Sequence, residues 1–146
     1  MLKILLVEDD HVQRSYVQQA LAESLGATVE TKTCESEFVR DFESIASDPP
    51  DVAVLDIMLR WASPSRHGAT PPADSTPYHA GLRCAQKLSG DPRTCSVKVI
   101  LYSVLPKEDI PDFSLPEIAV FVVKESDCQN LIDVVRDACA APTAGN

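Results

Sequence analysis

Residues 2–10 read LKILLVEDD. The first six are a near-continuous aliphatic run, and three acids follow without a break. Alternating apolar and polar residues would mark a strand with one wet face; a continuous run marks a strand covered on both faces. Three adjacent like charges repel, so they must point in different directions or meet something that offsets them. Asp10 is followed three residues later by Gln13, the spacing of a capping box, so Asp10 is expected to turn away and start a helix. Glu8 and Asp9 are left at the end of the first strand.

The same reading extends outward. Runs TVETKT (28–33), VAVLDI (52–57), VKVILYS (97–103) and AVFVV (119–123) give four more strands, of which TVETKT alternates and reads as a more exposed edge. Between them lie helical stripes. Val12, Tyr16, Val17, Ala20 and Leu21 share a face, then Phe38, Phe42, Ile45 and Ala46. A short helix from about Gly81 carries Leu82, Ala85 and Leu88. A last helix, beginning near Ser126 with Gln129 three residues on, presents Leu131, Val134, Val135 and Ala138. Strands alternating with helices imply an α/β fold, a parallel sheet with helices on both faces. Residues 60–80 hold four prolines without apolar period and read as a long loop. Residues 104–118 contain Pro106, Pro111 and Pro116, so a helix there is short or broken.

The chain has 146 residues, 45% hydrophobic and 24% charged, which suits one domain with a full core, assigned to residues 1–141 with a loose tail at 142–146. A net charge of −9 and the lack of a Lys/Arg run argue against nucleic acid or an anionic membrane as partner. Five cysteines with no C-x-x-C suggest reduced thiols in or near the core, and neither a signal segment nor a membrane span is read, so the expected location is cytoplasmic. His67 and His79 lack metal-ligand spacing and read as solvated, as does His11.

In an open parallel sheet, ligands bind at the carboxyl ends of the strands. Strand one ends at Glu8 and Asp9, strand three carries Asp56 where an aliphatic residue is wanted, strand four ends at Ser103 and strand five at Lys124. Three carboxylates, a hydroxyl and an ammonium therefore converge on one edge. In this order the motifs resemble the receiver domain of response regulators of two-component signalling, of the stand-alone type, over roughly residues 2–140. The resemblance implies a flavodoxin-like (βα)5 sheet of order 2-1-3-4-5. It also implies that Asp56 is the phosphoacceptor. Mg²⁺ is then the cofactor, held by Asp9 and Asp56 directly, by Glu8 through water and by the Met58 carbonyl. Ser103 and Lys124 contact the phosphoryl group, and Phe121 stands at the place of an aromatic switch residue. The implied donor is a histidine kinase or a histidine phosphotransfer protein, and the output is a downstream protein; a homodimer is left open. With no cation present the carboxylates repel, so at least one pKa should rise unless Lys124 compensates. Tyr102 is expected to pack beside the site.

The chain departs from the family's pattern in three places. Arg60 stands four residues after Asp56 where proline is usual, and the glycine that normally follows closely is Gly81, far downstream. The enlarged loop screens the acyl phosphate, presents Arg60 or Trp61 to a partner, or is a tolerated insertion. Glu125 replaces the proline after the strand-five lysine, so the Lys124–Glu125 bond is expected to be trans, since a cis bond before a non-proline residue costs about 3 kcal/mol. Little room is expected after Cys139 for an output domain. The leading function is thus a phosphorylation switch with at most self-phosphorylation and autodephosphorylation as enzymology. The alternative is a receiver-like interaction module independent of phosphorylation. A haloacid-dehalogenase-type hydrolase fits less well, because EDDHV would place Glu8 where that nucleophile belongs.

Overall fold

The computed structural model describes residues 1–61, 80–104, 119–125 and 127–140. Most of the long loop (62–79), most of the proline-interrupted segment (105–118), Ser126, His67, His79 and the tail lie outside the described residues. Within them, the order is β1 (Lys3–Val7), α1 (His11–Leu25), β2 (Thr28–Lys32), α2 (Glu35–Arg40), α3 (Phe42–Ser47), β3 (Val52–Leu55), α4 (Ala80–Ser89), β4 (Lys98–Ser103), β5 (Ala119–Val123) and α5 (Gln129–Ala140). All strand pairs are parallel, and the sheet order is β2-β1-β3-β4-β5.

The continuous aliphatic strands are covered on both faces, as expected. Leu5, Val7, Ala53, Leu55, Val99 and Leu101 face the layer formed by α2, α3 and α4. Their neighbours Ile4, Leu6, Val52, Val54, Ile100 and Tyr102 face the layer formed by α1 and α5. Successive side chains of a strand point to opposite faces, so one unbroken run supplies both cores. The alternating strand β2 does lie at the edge, with Thr28 and Glu30 exposed. No described helix is long and apolar enough to cross a membrane. All five cysteines are free; Cys34, Cys84 and Cys128 are buried, while Cys95 and Cys139 are exposed.

Asp10 caps α1 as expected, its carboxylate accepting the Gln13 N–H at 2.9 Å, and Gly26 closes the helix in the left-handed region at φ 63°. Three expectations about helices need correction. Val12 and Tyr16 are 75% and 53% exposed, whereas Val17 and Leu21 are buried. Both line an open pocket together with Gln13, Val17, Tyr102 and Glu125. The stripe Phe38–Ala46 is buried, but on two helices: the chain breaks at Asp41, whose carboxylate is gripped by Arg40 and by Lys32, each at 2.9 Å. Finally, α5 starts at Gln129 instead of near Ser126, with the Gln129 N–H donating to Asp127 at 3.0 Å, and it buries Ile132 along with Leu131 and Val135.

Order 2-1-3-4-5 places the first strand beside the third. Their register pairs Val7 with Leu55, so the acids after each strand emerge side by side. This is the point where the crossovers change direction, and it leaves a crevice at the carboxyl edge.

Candidate functional site

Glu8 and Asp9 follow β1, and the Asp56 N–H donates to the Val7 carbonyl at 3.0 Å, carrying the β1–β3 ladder one step past β3. The pairing sets Asp56 against Glu8 and Asp9. One carboxylate oxygen from each of the three lies within 4.8 Å of the others. Glu8 and Asp56 are buried, and Asp9 is partly so.

Lys124 reaches this cluster from the far side of the sheet. Its backbone N–H donates to the Ser103 carbonyl at 2.7 Å, extending the β4–β5 pairing beyond the strands. Its ammonium donates to Glu8 Oε1 at 2.6 Å and to Asp56 Oδ2 at 3.0 Å. All three side chains in this bridge are close to dry, 9% exposed for Lys124, 3% for Glu8 and 11% for Asp56. The Lys124–Glu125 bond is trans, since the described residues contain no cis peptide. Glu125 after Lys124 leaves the lysine aimed at the acids.

The second oxygen of Asp56 accepts the Met58 N–H at 3.1 Å, which folds the turn after β3 back on itself. Asp9 faces the other way. Its Oδ2 accepts the Arg60 N–H at 3.2 Å and lies 3.7 Å from Arg60 Nε. Arg60 was singled out in the sequence only as a departure; its contact with Asp9 was not legible there. The turn is held from outside by α2, whose first N–H groups have no partner within the helix. Glu35 N–H donates to the Arg60 carbonyl at 2.9 Å and Ser36 N–H to the Trp61 carbonyl at 2.7 Å. Glu35 is buried, and Arg83 of α4 holds its carboxylate with two bonds of 2.6 and 2.7 Å. Nothing in the spacing of positions 35 and 83 announces this pair.

Gly81, read in the sequence as a displaced glycine, returns to the turn after β3. Its N–H donates to the Ile57 carbonyl at 3.0 Å, and a Cβ there would lie 2.2 Å from the Asp56 carbonyl oxygen. Only glycine permits α4 to pack directly on this backbone.

Ser103 is fully buried at the end of β4. Phe121 pairs in register with Leu101 and packs on the same core layer, so it shares a face of the sheet with Ser103. Tyr102 points to the opposite layer. Its ring centroid lies 5.5 Å from the Lys124 ammonium, and burial pushes its hydroxyl up to about 12, which keeps it neutral. His11 is exposed, 3.3 Å from the Arg14 guanidinium, which in turn donates to the Glu8 carbonyl at 2.9 Å.

The electrostatics follow from burial first. Glu8 is raised above its ordinary value by desolvation, then by the neighbouring charge of Asp56, with Lys124 opposing both. Asp9 is also raised, again chiefly by desolvation; the Arg60 hydrogen bond opposes this and the Glu8 charge adds to it. A rise was expected from repulsion between the carboxylates. Repulsion contributes, but removal from water is the larger cause. For Lys124, burial works to lower the pKa, yet the Asp56 charge and the Glu8 hydrogen bond outweigh it and the net shift is upward. Lys124 therefore stays charged at neutral pH.

Carboxylate oxygens are the donors a hard divalent cation takes, and three of them within one small radius fit Mg²⁺ by donor type.

The sequence matches no protein-family profile and no curated protein. Solved structures do resemble it. TrrA, a response regulator protein from Thermotoga maritima in complex with Mg²⁺ and beryllium fluoride, is 21% identical with a TM-score of 0.66, covering 94% of this chain and 99% of its own. The receiver domain of HemR from Leptospira biflexa, non-phosphorylated, is 17% identical with a TM-score of 0.69 over the whole of both chains. The beryllofluoride-activated receiver domain of DrrB is 20% identical with a TM-score of 0.68, covering 97% of this chain and 99% of its own. The fold is therefore that of the response-regulator receiver domains, the flavodoxin-like parallel sheet expected from the sequence.

Proposed function

We propose that this protein is a phosphorylation-activated signalling switch whose phosphoacceptor is Asp56. The observation that carries the proposal is the Lys124 ammonium bound to Asp56 Oδ2 and Glu8 Oε1 beside the Asp9 carboxylate, at the carboxyl edge of a receiver fold. An aspartate attacks phosphorus only when the charge of the phosphoryl group is offset and the group is held in line. Mg²⁺ supplies that offset when bound, and Asp9, Asp56 and the Met58 carbonyl would hold it, with Glu8 acting through water. Two of the similar structures carry beryllium fluoride, a mimic of a phosphoryl group, and in one of them Mg²⁺ is present as well.

In the reaction, an oxygen of Asp56 forms a bond to phosphorus as the bond from phosphorus to the donor breaks. The donor, a phosphohistidine of a histidine kinase or a phosphotransfer protein, keeps the bonding electron pair and its imidazole takes up a proton. Lys124 is already aimed at Asp56 and pairs with the new phosphoryl oxygens. The Ser103 hydroxyl, at the end of the neighbouring strand, donates to one of them. Phe121 lies on the same face as Ser103, so a shift of Ser103 reaches it and alters the face presented to a downstream protein.

The test is incubation with Mg²⁺ and a small phosphodonor, followed by mass spectrometry. A single acid-stable, base-labile phosphoryl adduct is expected, lost in Asp56→Asn and lost when the cation is chelated. Unmodified wild-type protein in the presence of Mg²⁺ and donor would instead favour an interaction module that works without phosphorylation.

A further inference from the structure

The described residues set two cations against the three carboxylates, and they do not share them. Lys124 serves Glu8 and Asp56. Arg60 serves Asp9, through its backbone N–H at 3.2 Å and its Nε at 3.7 Å, both on Oδ2. A proline at this position would have neither group. The backbone of Arg60 is fixed, because the carbonyls of Arg60 and Trp61 are tied to the first turn of α2 and Glu35 there is clamped by Arg83. Its side chain is different: 62% of it is exposed, so the guanidinium can leave Asp9 without disturbing the turn. Arg14, the other guanidinium nearby, is directed to the Glu8 carbonyl and to His11.

We propose that Arg60 tunes the affinity of the cation site by competing with the divalent cation for Asp9 Oδ2. Cation arrival at Asp9 is then coupled to release of the Arg60 side chain at the mouth of the pocket. The inference rests on Asp9 and Asp56 being cation ligands, as proposed above. Two positive charges cannot occupy one carboxylate oxygen without repulsion, and the guanidinium must give way. Because the guanidinium is largely exposed, its displacement weakens cation binding only modestly, by about fivefold.

The experiment is a Mg²⁺ titration of wild type, Arg60→Gln and Arg60→Lys, followed by the fluorescence of Trp61, the only tryptophan, with a calorimetric Mn²⁺ titration as second readout. Arg60→Gln is expected to bind about fivefold tighter than wild type at low ionic strength, and Arg60→Lys to return toward the wild-type affinity. The difference between wild type and Arg60→Gln should close as salt is raised, since a competing exposed charge is screened and a purely structural effect is not. Equal or weaker binding by Arg60→Gln, beside a wild type that does bind, overturns the role of Arg60 alone. Failure of both proteins to bind either cation overturns the cation site itself.

Discussion

Replacement of Lys124 by methionine is expected to cost the cation-free protein about 3 kcal/mol at pH 7, read as a lower urea midpoint. Methionine keeps an unbranched side chain nearly as long and removes the charge. Glu8 and Asp56 are then left nearly dry, at 3% and 11% exposure, without a counter-ion. Breaking a buried pair costs more than the pair contributes, because the surviving charge has been taken out of water. The penalty should depend on pH with a definite sign. Glu8 is already raised in the folded state, first by burial and then by Asp56, while Lys124 holds it down. In the variant that restraint is gone, so Glu8 moves further up. A carboxyl with a raised folded pKa contributes stability below its unfolded value, ordinarily 4.5, and loses it as pH rises through the folded value. The penalty is therefore small near pH 4 and grows toward neutrality. In the wild type, Lys124 is raised above its ordinary 10.5, so its own contribution persists at neutral pH and is lost only in alkali, as pH rises through that folded value. A variant as stable as wild type at both pH values would mean that the bridge is not what offsets these acids.

Gly81→Ala is the second large effect. The added Cβ would sit 2.2 Å from the Asp56 carbonyl oxygen and 2.6 Å from Ile57 Cα. These are backbone atoms, so no side chain can rotate aside; either α4 retreats or the turn after β3 moves. A cost of about 3 kcal/mol in urea unfolding is expected, at the upper end for an overpacked site. Phosphoryl adduct formation should fall at least about tenfold, because a displacement near 1 Å at a reacting group costs about a hundredfold when it is not relieved. Wild-type stability together with wild-type adduct yield would show that α4 does not set the position of Asp56.

The two variants also mark what the sequence could and could not tell. The strands were legible because burial on both faces leaves an unbroken aliphatic run, and Asp56 stood out as an acid inside such a run. The meeting of Glu8, Asp9, Asp56 and Lys124 followed from placing strand ends on one edge. Helical spacing gives the face of α1 that carries Val17 and Leu21, but not the open pocket beside Tyr102 and Glu125 that leaves Val12 and Tyr16 exposed. The chain breaks at Asp41, where Lys32 and Arg40 grip one carboxylate, and no local pattern announces the contact with Lys32. Gly81 lies 25 positions beyond Asp56, and only the fold shows that it approaches the Asp56 backbone. Arg60 was visible as an unusual residue, while its partner, Asp9, is 51 positions away.

The most direct measurement is crystallographic: crystals grown with Mn²⁺ and beryllofluoride, with anomalous diffraction recorded to locate the metal. One anomalous peak is expected between Asp9, Asp56 and the Met58 carbonyl, with beryllofluoride on an Asp56 oxygen and within reach of Lys124 and Ser103. A metal bound elsewhere, or an Asp56 carboxylate left bare beside an intact Lys124 bridge, would contradict the assignment of Asp56 as phosphoacceptor.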